Sequence, residues 1–202
     1  MQAEPEGTRR KIVEAAIEAL KEDGFVGATS RAVATRGGFN PALIFYYYGS
    51  MDALLHAALD LTSEQRLIAY REAVTRASGI GDLMVAAKRL YQEDRESGHI
   101  TVVSQMIAGS IARPELAPEM ILRMQPWIAL CEEAFGPLVA DTPFATVEAE
   151  DLAYAVVTFY LGVNLLTQLD PDRTRTDSLF SRIDELEPIV SALLQSQSDT
   201  RR

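Results

Sequence analysis

Apolar side chains recur along this chain at the three-and-four spacing of amphipathic helices, and no stretch alternates between hairpin turns as a strand would. Ile12, Ala15, Ala16, Ala19 and Leu20 fall at i, i+3, i+4, i+7 and i+8. They predict a helix from Thr8 that Gly24 ends in a left-handed cap, with Phe25 plugging a small core. A long helix follows from Met51 through Leu54, Leu55, Ala58, Leu61 and Leu67 to about Ala77. Beyond Gly81 helices are expected near 82–96, 99–112, 114 or 118 to 135, 146–169 and 177–194. Gly98, Pro114, Gly136-Pro137, Pro143 and Pro171 supply the breaks, and Pro126 predicts a kink or split. The fold class is all-α.

Between the first helix and the long one lies TSRAVATRGGFNPALIFYYYGSMDALL, residues 29–55. Thr29 supplies a capping hydroxyl, and Val33 and Ala34 put small apolar groups on an inner face. Gly37 and Gly38 then interrupt that helix. Asn40 can cap the next, and Pro41 suits a first turn where its missing N–H has no intrahelical partner. This second helix is expected to be brief, about Pro41 to Phe45. Two short helices joined by a glycine turn make a helix-turn-helix, whose second helix lies in the major groove of DNA. Four aromatics in a row, Phe45 to Tyr48, are too many for one helical face. Phe45 and Tyr48 are expected inward, and Tyr46 and Tyr47 outward.

Residues 8–55 resemble the N-terminal domain of TetR-type transcriptional regulators. The likeness rests on Thr29, Val33-Ala34, Gly37-Gly38-Phe39-Asn40, Ala42, Ile44-Phe45-Tyr46-Tyr47-Tyr48 and Ser50-Met51-Asp52-Ala53-Leu54. It implies a DNA-reading surface drawn from Arg9, Thr29, Ser30, Arg31, Asn40, Pro41, Ala42, Leu43, Tyr46 and Tyr47, with the two tyrosines donating to phosphates. It implies too that the long helix acts as a lever between a reading head and a ligand domain. Met51 stands where the family usually carries Lys, which removes one phosphate contact. Pro41 and Leu43 offer no hydrogen bonds to base edges, so direct readout is thin. Arg31 is the best single base-contact candidate, against the plainer reading of a surface arginine. Arg9, Arg10 and Lys11 sit unfavourably at a helix start, as phosphate ligands or as a solvated basic end.

Charge sharpens this picture. The chain carries 19 basic and 29 acidic residues, a net charge of −10, which opposes a polyanionic partner. Residues 1–55, however, hold 6 basic and 7 acidic groups, so 13 and 22 remain for 56–202. The acidity belongs to the second part, and steep salt dependence and reliance on a dimer are expected. With 202 residues and 48% hydrophobic content, the chain can bury a sizeable core. The expected organisation is a lead-in at 1–7, a helix-turn-helix domain at 8–50, a helical regulatory and dimerisation domain at 51–195, and a flexible tail at 196–202.

The stretch 151–169 is apolar nearly all round, and Leu179, Ile183, Leu186, Ile189, Val190, Leu193 and Leu194 form a stripe. The two helices from each of two copies could pack as a four-helix bundle, with Val156, Leu161, Ile183, Leu186, Ile189 and Val190 at the homodimer interface. A buried internal helix pair is the plainer alternative. Met84, Tyr91, Met106, Trp127, Cys131 and Tyr160 have the composition of a pocket for a small hydrophobic effector, though core packing explains them equally. Gln105 within VVSQMI and Asn164 within GVNLL are polar residues in apolar runs that must find a partner, a water or a ligand.

No nucleophile-base set, metal-ligand spacing or phosphate-cradling loop is present in the sequence, so an enzyme, a metal and a cofactor are not expected. Cys131 alone excludes an intramolecular disulfide. No leader opens the chain, and its apolar runs break short of the ~20 residues of a membrane span. A cytoplasmic protein is expected. The sequence therefore points to a ligand-responsive regulator, most simply a repressor released from a palindromic double-stranded operator by its effector. The rival is a helical small-molecule binding or interaction protein that no longer reads DNA.

Overall fold

The computed structural model describes residues 5–140, 146–170 and 172–195. Among them are nine α-helices and no strand: α1 (Pro5–Gly27), α2 (Ser30–Gly37), α3 (Ala42–Tyr48), α4 (Met51–Arg76), α5 (Ile80–Ser97), α6 (His99–Ala112), α7 (Ala117–Val139), α8 (Ala149–Leu169) and α9 (Thr174–Gln195). A 3-10 turn, Pro114–Leu116, precedes α7. Residues 1–4 of the expected lead-in, the breaks at Pro143 and Pro171, and the tail at 196–202 lie outside the described residues.

Several boundaries move for local reasons. α1 starts at Pro5 rather than Thr8, because proline with its fixed φ suits a first turn and Glu6 complements the helix dipole there. Gly24 interrupts α1 as expected, though not in a left-handed cap. Its φ of 72° and ψ of −178° break the helix, which then resumes to Gly27. α3 continues past Phe45 to Tyr48, where Gly49 at a φ of 79° caps it. α7 runs through both Pro126 and Pro137 without division. Each proline deletes one ladder bond, and the neighbouring turns carry the helix across.

The chain divides into two compact units, residues 1–66 with 94–123, and 67–93 with 124–202. In the first, α1 packs on α2 and α6. Its core contains Ile12, Ala16 and Leu20 of α1, Val33 of α2, Ile44 of α3, Leu54 and Leu59 of α4, and Val102 and Met106 of α6, all buried. The apolar stripe read in α1 is thus its inner face. In the second unit Leu83, Leu90 and Tyr91 of α5, Leu130 of α7 and Ala153 of α8 are buried, together with the polar Asn164, Thr167 and Thr176.

Among the described residues α8 is the one helix long and apolar enough to cross a membrane. This corrects the expectation that every apolar run breaks short of that length, since no charged residue follows Asp151 until Asp170. Much of α8 is exposed, including Tyr154, Phe159, Leu165, Leu166 and Leu169.

Candidate functional site

The helix-turn-helix is built from caps. Thr29 Oγ1 accepts the Ala32 N–H at 3.2 Å and starts α2. Gly38, at φ 63° and ψ 45°, ends α2 in the left-handed conformation glycine adopts without steric cost. The Phe39 N–H then bonds the Ala34 carbonyl at 3.1 Å. Gly37 is needed for a different reason: a Cβ there would come within 2.1 Å of the Phe39 ring. Asn40 Oδ1 accepts the Ala42 N–H at 2.9 Å and so opens α3.

α3 has one inner face. Ile44 is fully buried, and Tyr48, one turn on, is half-buried and donates its hydroxyl to the Arg9 carbonyl at 2.8 Å. The Arg9 guanidinium lies 5.2 Å from the centre of the Tyr48 ring. Burial raises the Tyr48 hydroxyl above its ordinary pKa. Phe45 is 51% exposed, which corrects its expected inward position: 100° around the helix from Ile44, it cannot share that side chain's face. Tyr46 is 79% exposed and meets Tyr47 edge-on, with ring centres 5.0 Å apart. Pro41 and Ala42 are exposed, and Leu43 and Tyr47 are half-buried.

Arg31 is exposed at the start of α2, beside an open depression of about 560 Å³ that reaches Asn40 and Pro41. Ser30, its neighbour, is half-buried. Arg36 at the other end of α2 is held by Glu22 at 2.9 Å and Asp23 at 2.8 Å. It ties α2 to the end of α1, a use that no local sequence pattern announces across 13 and 14 residues.

The start of α4 is similarly fixed. Ser50 Oγ accepts the Ala53 N–H at 3.1 Å. Arg113 makes a two-pronged pair with Asp52 at 2.7 and 2.8 Å. Arg123 does the same with Asp60 at 2.7 and 3.1 Å, and reaches Glu119 at 2.8 Å. The Arg113 guanidinium holds the Asp52 carboxyl below its usual range. His56 is buried among these charges, and burial first, then Arg123, lowers its pKa.

The second unit holds a chain of aromatic rings. Trp127 meets Tyr70 with centres 5.3 Å apart, Tyr70 meets Tyr160 at 6.4 Å, and Tyr160 meets Tyr91 at 6.2 Å, each near perpendicular. Phe180 of α9 closes on Tyr91 at 4.8 Å. The Tyr70 hydroxyl donates to that of Tyr160 at 2.9 Å, and the Tyr91 hydroxyl to Thr167 Oγ1 at 3.1 Å. Asn164 Nδ2 donates to the Tyr160 carbonyl at 2.8 Å.

Of the effector candidates, Tyr91, Trp127, Tyr160 and Asn164 thus join one cluster. Met84 and Cys131 are half-buried in the same unit, where burial pushes the Cys131 thiol up to about 11. Gln105 and Met106 belong to the first unit. Gln105 Oε1 accepts the Phe25 N–H at 2.9 Å, and Met106 is core. Tyr70, Thr167 and Phe180 were missed because their segments read as lever and dimer helices, and only their aromatic and hydroxyl types signalled otherwise.

The interface candidates divide as well. Val156, Leu161, Ile183 and Val190 are half-buried, while Leu186 and Ile189 are exposed. Between α8 and α9 lies a groove of about 480 Å³ walled by Val163, Leu166, Leu169 and Leu179. Among the described residues no three His, Cys, Asp or Glu side chains gather as a metal site.

Residues 12–58 match the family of bacterial regulatory proteins, tetR family. The HTH-type transcriptional regulator UidR of Escherichia coli K12 is 26% identical over 117 residues, which is 58% of this chain and 59% of that protein's length. GusR of Salmonella enterica is similar in structure with a TM-score of 0.72 at 19% identity, over 96% of this chain and 98% of that one. The fatty acid degradation regulator FadR from Bacillus halodurans has a TM-score of 0.73 at 13% identity, over 96% and 97%. At such identities the structural likenesses establish the fold. The capped helix-turn-helix lies inside the residues that match the bacterial regulatory proteins, tetR family, and the all-helical fold is one that this chain shares with GusR and FadR.

Proposed function

We propose that the protein is a DNA-binding transcriptional regulator, most simply a cytoplasmic repressor that two copies seat on a palindromic operator and a small hydrophobic effector releases. The observation that carries this reading is the outward face of α3. Ile44 alone is fully buried there, and the caps on either side hold Pro41, Ala42, Phe45 and Tyr46 toward solvent on a rigid unit. Such a face is what a recognition helix brings to a major groove. Arg31 and Arg9 supply cations on the same unit, and Tyr46 and Tyr47 supply hydroxyls for phosphate.

The aromatic cluster supports the ligand half of the reading. Aromatic faces and edges with a small set of hydroxyl and amide groups among them suit a largely apolar molecule of drug size. Such an effector acts by binding the form that does not hold DNA more tightly than the form that does. Two copies are supported by the exposed apolar residues of α8 and α9.

The test is a mobility-shift titration with DNA flanking the encoding gene, at low salt. Saturable binding that weakens steeply with salt is expected, with half-sites about 34–36 Å apart. Absence of binding at every salt below physiological would sink the proposal and favour a binding protein without DNA.

A further inference from the structure

Asn164 is 1% exposed on α8, and its amide is only half used. Its nitrogen must face the Tyr160 carbonyl, because the oxygen cannot donate, so the 2.8 Å contact fixes which end points where. Oδ1 then lies buried with no hydrogen-bond partner.

The groups beside it in sequence and cluster are already committed. Thr167, one turn on along α8, donates to the Val163 carbonyl at 2.6 Å and accepts from Tyr91 at 3.1 Å. Thr176 contacts the same Thr167 oxygen at 2.7 Å; with the Thr167 proton on Val163, Thr176 is the donor. That hydroxyl is saturated. Tyr70 has placed its proton on the Tyr160 oxygen. A buried acceptor left over one turn from Tyr160, on the helix that carries that ring, calls for a donor.

We propose that Asn164 Oδ1 is the polar anchor of the effector site, and that the effector is a neutral aromatic or alicyclic molecule carrying an O–H or N–H donor. The proposal rests on the ligand-responsive reading above and narrows its ligand class. None of Tyr70, Tyr91, Trp127, Tyr160, Asn164 and Phe180 is charged, which favours a neutral ligand over a carboxylate. A carboxylate would also set a second acceptor against Oδ1. The rings provide faces and edges for the apolar body, and the amide oxygen selects its orientation.

The experiment compares matched probes on the full-length protein: 4-propylphenol against 4-propylanisole, 2-naphthol against 2-methoxynaphthalene, and cyclohexanol against methoxycyclohexane. Affinity is read by thermal shift and by calorimetry. At least one donor probe is expected to bind fivefold or more tightly than its ether, and Asn164→Leu to erase that preference while ether binding persists. The wild-type comparison alone decides the matter if the variant fails to fold. Equal binding of every donor and its ether overturns the anchor while leaving a hydrophobic effector site in place. Binding of none of the six probes overturns the anchor too. The ligand-responsive reading fails separately, if no small molecule weakens the mobility shift on DNA.

Discussion

The Phe25 backbone N–H donates to Gln105 Oε1 at 2.9 Å, so the break that Gly24 makes in α1 is held by a side chain of α6. The same α6 face receives the Phe25 ring on Gly109, where an added Cβ would fall 2.3 Å from a ring carbon. Gln105→Leu keeps the bulk but leaves the N–H without its acceptor. A loss of about 1–3 kcal/mol is expected in urea denaturation. An unchanged midpoint would mean that the kink stands without α6.

The turn between α2 and α3 offers a paired test of backbone and space. Gly38→Ala forces an L side chain to a φ of 63° in open surroundings, and should cost about 1 kcal/mol. Gly37→Ala has ordinary backbone but sets a methyl against the Phe39 ring and should cost more, because Phe39 must move. Thermal unfolding of the two variants should rank them in that order.

Tyr46 and Tyr48 lie two residues apart in α3 and should separate binding from folding. Tyr46→Ala removes an exposed side chain and should leave stability within about 0.5 kcal/mol. It should also weaken operator binding. Tyr48→Phe removes the bond to the Arg9 carbonyl, and should lower stability by about 0.5–1.5 kcal/mol with binding little changed in sequence preference. Arg31→Ala should reduce affinity about tenfold; a flatter salt slope then marks a phosphate contact, and relaxed sequence preference a base contact.

These residues also mark what a sequence discloses. Thr29, Gly38 and Asn40 were legible because each cap is a local bargain between a side chain and its own backbone within three residues. Phe45 was not: four aromatics in a row leave the inward choice to packing, and Ile44 took that place. Gln105 was recognisable as a buried amide needing a partner, yet the partner is 80 residues away and is a backbone group freed by Gly24. Asn164 looked the same in sequence. Only the fold separates a satisfied amide from one with its oxygen still open.

Acid should loosen the first unit through its two buried histidines. Burial lowers His99 to about 4 from an ordinary 6.5, and lowers His56 in the same direction. The unfolded chain therefore takes up protons before the folded one does. Stability from the neutral His99 is complete above pH 6.5 and is lost as pH falls toward 4, at up to about 1.4 kcal/mol per pH unit for each proton. Charged neighbours qualify the picture: Asp94 favours the His99 cation and Arg66 opposes it, while Glu119, Asp60 and Asp52 favour that of His56 against Arg123. Denaturation midpoints from pH 7.5 to 4.5 should fall for the wild type and flatten in His99→Gln.

The exposed apolar side of α8 demands a cover, and a charge placed on it shows which. Leu166 is 69% and Leu169 80% exposed, on a helix whose buried polar residues Asn164 and Thr167 face its own unit. Those two amide and hydroxyl groups are costly in lipid on an isolated span, whereas here they are buried within the unit. The proposed second copy would cover this apolar side; Leu186 and Ile189 of α9 are exposed as well. If two copies meet on this side, Leu166→Glu would bring like charges into the interface, and each would lose water without gaining a partner. The wild type is expected to sediment as a dimer and the variant as a folded monomer with unchanged circular dichroism. A variant that stays dimeric would move the interface off this side of α8, and a variant that leaves a membrane fraction for the soluble one would point to lipid instead.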